Sequence, residues 1–257
     1  MHSGLTTLSV LGAIDKHQNL TDAGRQMAAL PVDPKFSRAI LASGDLGCSK
    51  EVIDIISVLS VSSRLFLDVS SNGSDGIYAR DKFKHPSGDH CTILNAFRAY
   101  QEVVSATGGD AKSWCTTNFL NQRTLSEAME IRHQLRGICE RHGINTNLSC
   151  GGQVQAILRC LALGLVQNAA FIQPNGLYKQ VMGPAVSHRI SLVRRNFFIG
   201  CQIMKIHPSS VVQVPYPAIV YDELVCMTPI GNQSSWLIYA LLDFYISSLC
   251  TWGFSSI

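Results

Sequence analysis

The chain has 257 residues and a net charge of +3 at pH 7, with 46% hydrophobic and 15% charged residues. This composition excludes an intrinsically disordered chain and allows one large domain or two to three small ones. All 21 Lys and Arg residues lie at or before Lys205, whereas three of the 18 acidic residues follow it, so residues 1–205 carry +6 and the remainder −3. A basic body of this kind suits an acidic partner such as nucleic acid.

Nine cysteines are spread along the chain without a CxxC pair or a Cys/His spacing that fits a zinc site. Their number is odd, and no signal peptide precedes them. This usage indicates reduced, mostly buried thiols in a protein of the cytosol or nucleus.

The first third of the chain is predicted to be helical. Residues 5–14 are apolar at helical spacing, and a short helix follows Thr21, whose hydroxyl can cap it. Further helices are predicted at 34–43 and 49–61, and the last of these is apolar nearly all round, which indicates a position at the centre of a core. A helix, a polar turn and a second short helix are typical of the end of a winged-helix domain, and equally of an ordinary helical hairpin.

Two longer helices are predicted in the middle of the chain, after a loop at residues 64–76. Asp89 can cap the first of them, which begins near Cys91 and is stopped by the Gly-Gly pair at 108–109. Thr124 and Glu127 fit the S/T-x-x-E capping box of the second, which runs to about residue 142. The adjacent aromatic residues Trp114 and Phe119 are predicted to belong to the core.

The pattern changes to β-structure after a helix at residues 154–165. Residues 171–173 and 177–181 flank a Pro-Asn-Gly turn and predict a β-hairpin. Further strands are predicted at 205–212 and 218–221. Helices followed by a small β-unit indicate an α+β fold that ends in a small barrel.

Six segments, taken together and in this order, resemble the C-terminal region of DEAH-box RNA helicases. They read LGAID with LTDAGRQMAALPVDPKFSRAIL, GCSKEVIDIISVLSV, GDHCTILNAFRAY, WCTTNFLNQRTLSEAMEIRHQL, IHPSSVV and IVYDELV. The resemblance implies the end of an incomplete winged helix at 1–34, a helicase-associated ratchet domain at 35–150 and an OB-fold at 151–225. The detail is most similar to spliceosomal and nucleolar members, which implies a role in mRNA splicing or ribosome biogenesis in the nucleus or nucleolus, with the cytoplasm as an alternative.

The motifs that hydrolyse ATP in this family are not found in the chain. It has no GxxxxGK[ST] loop, no DEAH sequence and no QRxGRxGR motif. We therefore expect no catalytic activity and no cofactor for this chain alone, since ATP and Mg²⁺ would belong to the RecA-like lobes of a helicase. The resemblance implies that the chain binds single-stranded RNA and helps to retain the strand during ATP-driven unwinding.

Seven residues are candidate RNA contacts within this resemblance. Three arginines lie outside the apolar stripe of the second long helix and could bind phosphates, and four residues of the β-region could meet a strand by stacking and hydrogen bonding. Each prediction of RNA contact has an alternative. The arginines could lie on a solvated helix face, the tyrosine could belong to the core, and the histidine could have a structural role at the end of a strand. The seven are Arg123, Arg132, Arg136, Tyr178, Lys179, His207 and Ser209.

Two stretches depart from the family pattern. Residues 187–202 form an insertion that either adds a basic hairpin or disrupts the barrel, and we favour disruption and an incomplete barrel. Residues 226–257 form an atypical apolar tail, whose apolar run from Trp236 to Trp252 is short for a membrane span. Two alternatives to the helicase hypothesis therefore stay open. One is an adaptor that binds helicase activators or the RecA-like lobes, and the other is a non-functional truncated gene product.

Overall fold

The computed structural model describes residues 2–67, 74–108, 111–181, 203–212, 214–227 and 235–243. Helices fill the first two thirds of this part of the chain, and strands follow, so the mixed helical and β-character predicted from the sequence is confirmed. The helices are α1 (His2–Val10), α2 (Asp22–Ala28), α3 (Pro34–Asp45), α4 (Ser49–Leu59), α5 (Ser74–Asp81), α6 (Asp89–Thr107), α7 (Lys112–Thr117), α8 (Gln122–Arg141) and α9 (Val154–Gly164). The strands are β1 (Ala169–Ile172), β2 (Tyr178–Gln180), β3 (Ile203–Ile206), β4 (Ala218–Met227) and β5 (Ser235–Asp243).

A small helical unit with one antiparallel bridge opens the chain. The bridge joins Ile14 and Leu20 between α1 and α2. The Thr21 hydroxyl accepts a hydrogen bond from the Gly24 amide at 2.9 Å, which confirms the predicted cap of α2. Gly24 is required there, because a Cβ would lie 2.1 Å from the Ala13 carbonyl oxygen.

The helical bundle is built around α4, which is buried along nearly its whole length. Helices α3, α6, α8 and α9 surround it, and α3 and α9 approach so closely that a Cβ at Gly164 would lie 2.1 Å from the Lys35 carbonyl oxygen. Trp114 packs against Phe83 and Tyr100, with ring centroids 6.0 and 6.4 Å away, in a second apolar cluster. The bundle therefore has two apolar clusters, and α8 contributes buried residues to both.

The ends of the two long helices agree only in part with the sequence prediction. Gly108 and Gly143 follow α6 and α8 with φ of 69° and 77°, as expected of C-terminal stops. The predicted capping box is wrong, because Asn121 caps α8 by accepting from the Arg123 and Thr124 amides at 3.1 and 3.3 Å. The predicted cap at Asp89 is also wrong, since α6 begins at Asp89 itself, after Gly88, and the carboxylate binds elsewhere.

The five strands form a closed sheet in the order β1-β2-β3-β5-β4. The predicted hairpin is confirmed by the antiparallel register of Ala170 with Gln180 and of Ile172 with Tyr178. Strand β3 ends at Ile206, earlier than predicted, and pairs in parallel with β5. Closure differs from the incomplete barrel that the sequence indicated, and it depends on β5, a strand within the segment that we assigned to an apolar tail. The predicted insertion at 187–202 lies outside the described residues.

Within the described ranges, none of the helices combines the length and the apolar character that a membrane crossing requires.

Six cysteines of the described residues are free thiols. Cys48, Cys91, Cys115, Cys139 and Cys160 are buried and Cys150 is half-buried. Burial raises the pKa of Cys91 to about 12 and that of Cys139 to about 11. The prediction of mostly buried, reduced thiols therefore agrees with the structure in these residues.

We expect Cys91 and Cys139 to react with iodoacetamide at pH 8 at least about tenfold more slowly in the native protein than in guanidinium chloride. Burial blocks the reagent, and the raised pKa keeps each group in the unreactive thiol form. Mass spectrometry of the labelled peptides measures both rates, and equal rates in the two solvents would contradict the placement of these side chains.

Candidate nucleic-acid interface

The three candidate arginines of α8 have different surroundings. Arg123 is exposed on the first turn of the helix. Arg136 is half-buried and donates to the Asn147 side-chain oxygen at 2.5 Å. Arg132 forms an ion pair with Asp54 of α4, and its side chain is only 18% exposed. Arg123 therefore has the most accessible guanidinium of the three, whereas the partner of Arg132 is a carboxylate of the protein rather than the predicted phosphate.

Two buried carboxylates on one face of α4 organise the charges around this helix. Glu51 accepts hydrogen bonds from Arg98 of α6 at 2.6 Å and from the Ser149 hydroxyl at 2.6 Å. Asp54 lies one turn further along and pairs with Arg132 of α8. Because neither carboxylate has access to water, each needs its cationic partner, and the pairs hold α6 and α8 against α4.

The pKa values of the two carboxyl groups shift in opposite directions, although burial acts to raise both. Burial opposes the ionisation of Glu51, but hydrogen bonds from Ser149 and the backbone, together with Arg98, lower its pKa. Burial dominates at Asp54 and raises its pKa, despite the opposing effect of Arg132. One oxygen of Asp54 has no hydrogen-bond partner among the described residues, which explains why its ionised form is less well compensated.

Tyr178 does not present its ring to a nucleic acid. Its side chain is 2% exposed in the barrel core, and its hydroxyl donates to the Tyr216 carbonyl oxygen at 2.9 Å. It packs with Met204 and Ile219 inside the barrel. The predicted stacking role is therefore wrong, because a ring that fills the core leaves no face for a base, and strand alternation alone did not reveal which side was inside.

Lys179 and Lys205 form a basic surface on the outside of the barrel, which we call the β2–β3 lysine face. The register pairs Tyr178 with Met204, whose side chains are buried, and Lys179 with Ile203. Lys205 is exposed on the same outer side and lies diagonally across from Lys179, a spacing of about 7–8 Å between Cα atoms. The sequence prediction missed Lys205, although its position in a strand with apolar neighbours on either side was a usable signal.

His207 and Ser209 form a compact turn directly after β3. The His207 Nδ1 accepts a hydrogen bond from the Ser209 amide at 3.1 Å and lies 2.6 Å from the Ser209 hydroxyl oxygen. The Ser210 amide donates to the His207 carbonyl oxygen at 2.9 Å, which closes the turn. The structure thus places Lys179, His207 and Ser209 in the barrel region, while Arg123 and Arg136 belong to the helical bundle.

Within the described residues, no group of three or more His, Cys, Asp and Glu side chains could hold a metal ion. The Asp-Glu pair at 222–223 lies in β4, and Lys35 donates to the Asp222 carboxylate at 2.8 Å. This acidic residue therefore serves to join α3 to the barrel.

Comparison with known proteins identifies the two N-terminal units. Residues 4–32 match a model described as "Helicase associated domain (HA2), winged-helix", and residues 33–93 match "Helicase associated domain (HA2), ratchet-like". The chain is similar to the ATP-dependent RNA helicase DHX33 of Homo sapiens, with 35% identity over 229 residues, 88% of this chain and 29% of that protein. The Mus musculus protein of that name is 31% identical over 98% of this chain and 34% of its own length. The chain thus spans about a third of the length of the curated relatives it matches.

We expect Arg132→Ala to lower the free energy of unfolding by about 3 kcal/mol, because it leaves the Asp54 carboxylate buried without its partner. The exposed Arg123→Ala is the matched control and should change it by less than about 0.5 kcal/mol. Denaturant unfolding measures both values.

The cost of Arg132→Ala should fall as the pH is lowered from 8 to 5. Burial already raises the pKa of Asp54, and loss of the arginine raises it further, so the buried group takes up a proton in acid and its charge disappears. Equal destabilisation by both arginine variants, or a cost that is independent of pH, would contradict a structural ion pair at Arg132.

Tyr178→Phe should destabilise the protein by about 1 kcal/mol, since the Tyr216 carbonyl loses its donor. The apolar packing of the ring is kept. RNA affinity should stay within about twofold of the starting protein in a filter-binding titration. A larger loss of affinity with unchanged stability would restore Tyr178 as a contact.

Proposed function

Because this chain is a C-terminal helicase-associated region of the DEAH-box RNA helicase family, we propose that it binds single-stranded RNA and helps to retain the strand during unwinding. ATP and Mg²⁺ would be bound by the ATPase lobes of a helicase, so the chain by itself would be inactive as an enzyme. The β2–β3 lysine face and the exposed turn beside it are the observation that carries this proposal.

The strand arrangement supports an OB-type barrel. OB-folds are five-stranded Greek-key barrels that bind oligonucleotides on the face of their second and third strands. The order β1-β2-β3-β5-β4 gives a five-stranded barrel, and the β2–β3 lysine face lies on its second and third strands. We therefore assign RNA binding to this face by analogy of architecture, with the lysines supplying contacts to phosphates.

The chemistry of the residues on this surface fits a polyanion without base specificity. Two exposed ammonium groups attract phosphates, and each phosphate contact to a single strand adds about 0.7 to the salt dependence of log K. The half-buried His207 and exposed Ser209 offer hydrogen-bonding groups at the end of β3. Arg123 would extend the basic track onto α8, where a second contact would oppose slipping of the strand.

The site of action is a separate part of the proposal and is suggested by the family likeness alone. We place it in the nucleus or nucleolus, in splicing or ribosome biogenesis, with the cytoplasm as the alternative. Fluorescence microscopy of the tagged chain tests this location.

Lys179→Ala/Lys205→Ala should weaken binding to a fluorescent 12-nucleotide oligouridylate and reduce the slope of log K against log salt by about 1.4. Fluorescence anisotropy at 50 and 200 mM KCl measures both quantities. Lys16→Ala, an exposed lysine of the N-terminal unit, is the matched control and should change the affinity by less than about twofold.

Two results would contradict this proposal. Absence of binding by the unmodified chain at 50 mM KCl would favour the alternative of an adaptor for helicase activators. An equal loss of affinity in Lys16→Ala and in the double variant would show nonspecific attraction to net charge rather than a site on the barrel.

A further inference from the structure

Asp89 joins the helical bundle to the barrel through both of its carboxylate oxygens. Oδ2 accepts from the Ser210 hydroxyl at 2.5 Å, and Oδ1 accepts from the Val211 amide at 2.9 Å. The donors lie more than 120 residues further along the chain. The side chain is only 9% exposed, so these bonds are largely shielded from water.

A cation and the N-terminus of a helix lie beside the Asp89 carboxylate. The Arg80 guanidinium lies 3.8 Å from Oδ1 and is itself held over the Phe66 ring at 4.6 Å. Asp89 also occupies the first turn of the 19-residue helix α6, where the positive end of the helix dipole stabilises a negative charge. A carboxylate with two donors and a nearby cation forms stronger hydrogen bonds than a neutral acceptor would.

Ser210 connects Asp89 to the exposed turn through hydrogen bonds. Its hydroxyl donates to Asp89 and accepts from the Val212 amide at 3.1 Å, while its own amide donates to the His207 carbonyl oxygen. His207 in turn holds Ser209 through its ring nitrogen. One buried carboxylate therefore anchors the C-terminal end of the turn that carries His207 and Ser209, and the Ser210 amide links that end to His207.

We infer that Asp89 is a positioning residue for RNA binding, which holds the 207–210 turn in its binding conformation without touching the RNA. The inference rests on the proposed function of the barrel. A turn that is ordered before binding loses less conformational entropy when a strand docks, so the anchor raises affinity through preorganisation. It also ties the barrel surface to α6, so that the contacts on the barrel keep their position relative to those on α8.

Ser210→Ala and Ser210→Thr provide the sharpest comparison. Alanine removes the donor to Asp89 and the acceptor for Val212, and we expect RNA binding to weaken by about two- to tenfold, the equivalent of one or two hydrogen bonds. Threonine keeps the hydroxyl and should restore binding to within about twofold of the unmodified chain. Binding is measured by anisotropy with the 12-nucleotide oligouridylate at 50 mM KCl.

Asp89→Asn tests the carboxylate itself. The amide offers one acceptor instead of two and removes the charge beside Arg80, so we expect weaker RNA binding and faster hydrogen exchange at the 210–212 amides. Asp22→Asn is the matched control, because Asp22 also lies in the first turn of a helix and pairs with an arginine, but its side chain is 96% exposed. This control should leave RNA binding and exchange at 210–212 unchanged.

The outcomes separate the inference from the proposed function. Tight binding by the unmodified chain together with unchanged binding in Ser210→Ala and Asp89→Asn would overturn the inference alone. Unchanged exchange at 210–212 in Asp89→Asn would overturn it as well. Absence of RNA binding by the unmodified chain would overturn both. If Asp89→Asn fails to fold, the alanine and threonine variants at 210 decide, with equal affinities counting against the inference.

Discussion

The pairing of two buried carboxylates with arginines from neighbouring helices is the constraint on which the helical bundle depends. Glu51 and Asp54 lie on a helix that is otherwise surrounded by core, where an uncompensated charge is strongly unfavourable. Arg98 of α6 and Arg132 of α8 must therefore lie close to α4 in the folded state. Apolar packing alone tolerates small rotations of these helices, whereas two ion pairs one helical turn apart define a single arrangement.

This constraint also explains why sequence patterns misjudged one of the arginines. The spacing of residues on α8 shows that Arg132 lies off the apolar stripe, but the spacing does not show what lies opposite. Its partner Asp54 is 78 residues away in sequence and sits in a helix that is apolar nearly all round. The half-buried flank of a helix and its solvated face look alike in sequence, because both accept long polar side chains.

Local signals gave better predictions than distant ones. Gly108, Gly143, Thr21 and the Pro-Asn-Gly turn act within a few residues, and the C-terminal ends of α6 and α8, the cap of α2 and the hairpin agreed with the structure, whereas the capping box at Thr124 did not. Asp89 is a residue type that often caps helices, and its position fitted that role. Its carboxylate instead accepts hydrogen bonds from a turn more than 120 residues later. The sequence analysis did not predict strand β5. Its local pattern is ambiguous, since a short continuous apolar run fits a buried strand as well as an apolar tail.

The number of basic residues overstates how many cationic side chains are available to bind a polyanion. At least six of its basic side chains already pair with carboxylates, namely Arg25, Lys35, Arg80, Lys84, Arg98 and Arg132. A charge that is balanced within the protein contributes little to counterion release from RNA, so affinity must come from a small number of accessible groups such as Lys179, Lys205 and Arg123. Under the proposed function, few contacts would give weak, salt-sensitive binding, which would suit a surface along which a strand moves. Under the proposed function, retention of the strand would depend on the spacing between barrel and bundle, and the ion pairs of α4 and the anchor at Asp89 would then matter as much as the contacts themselves.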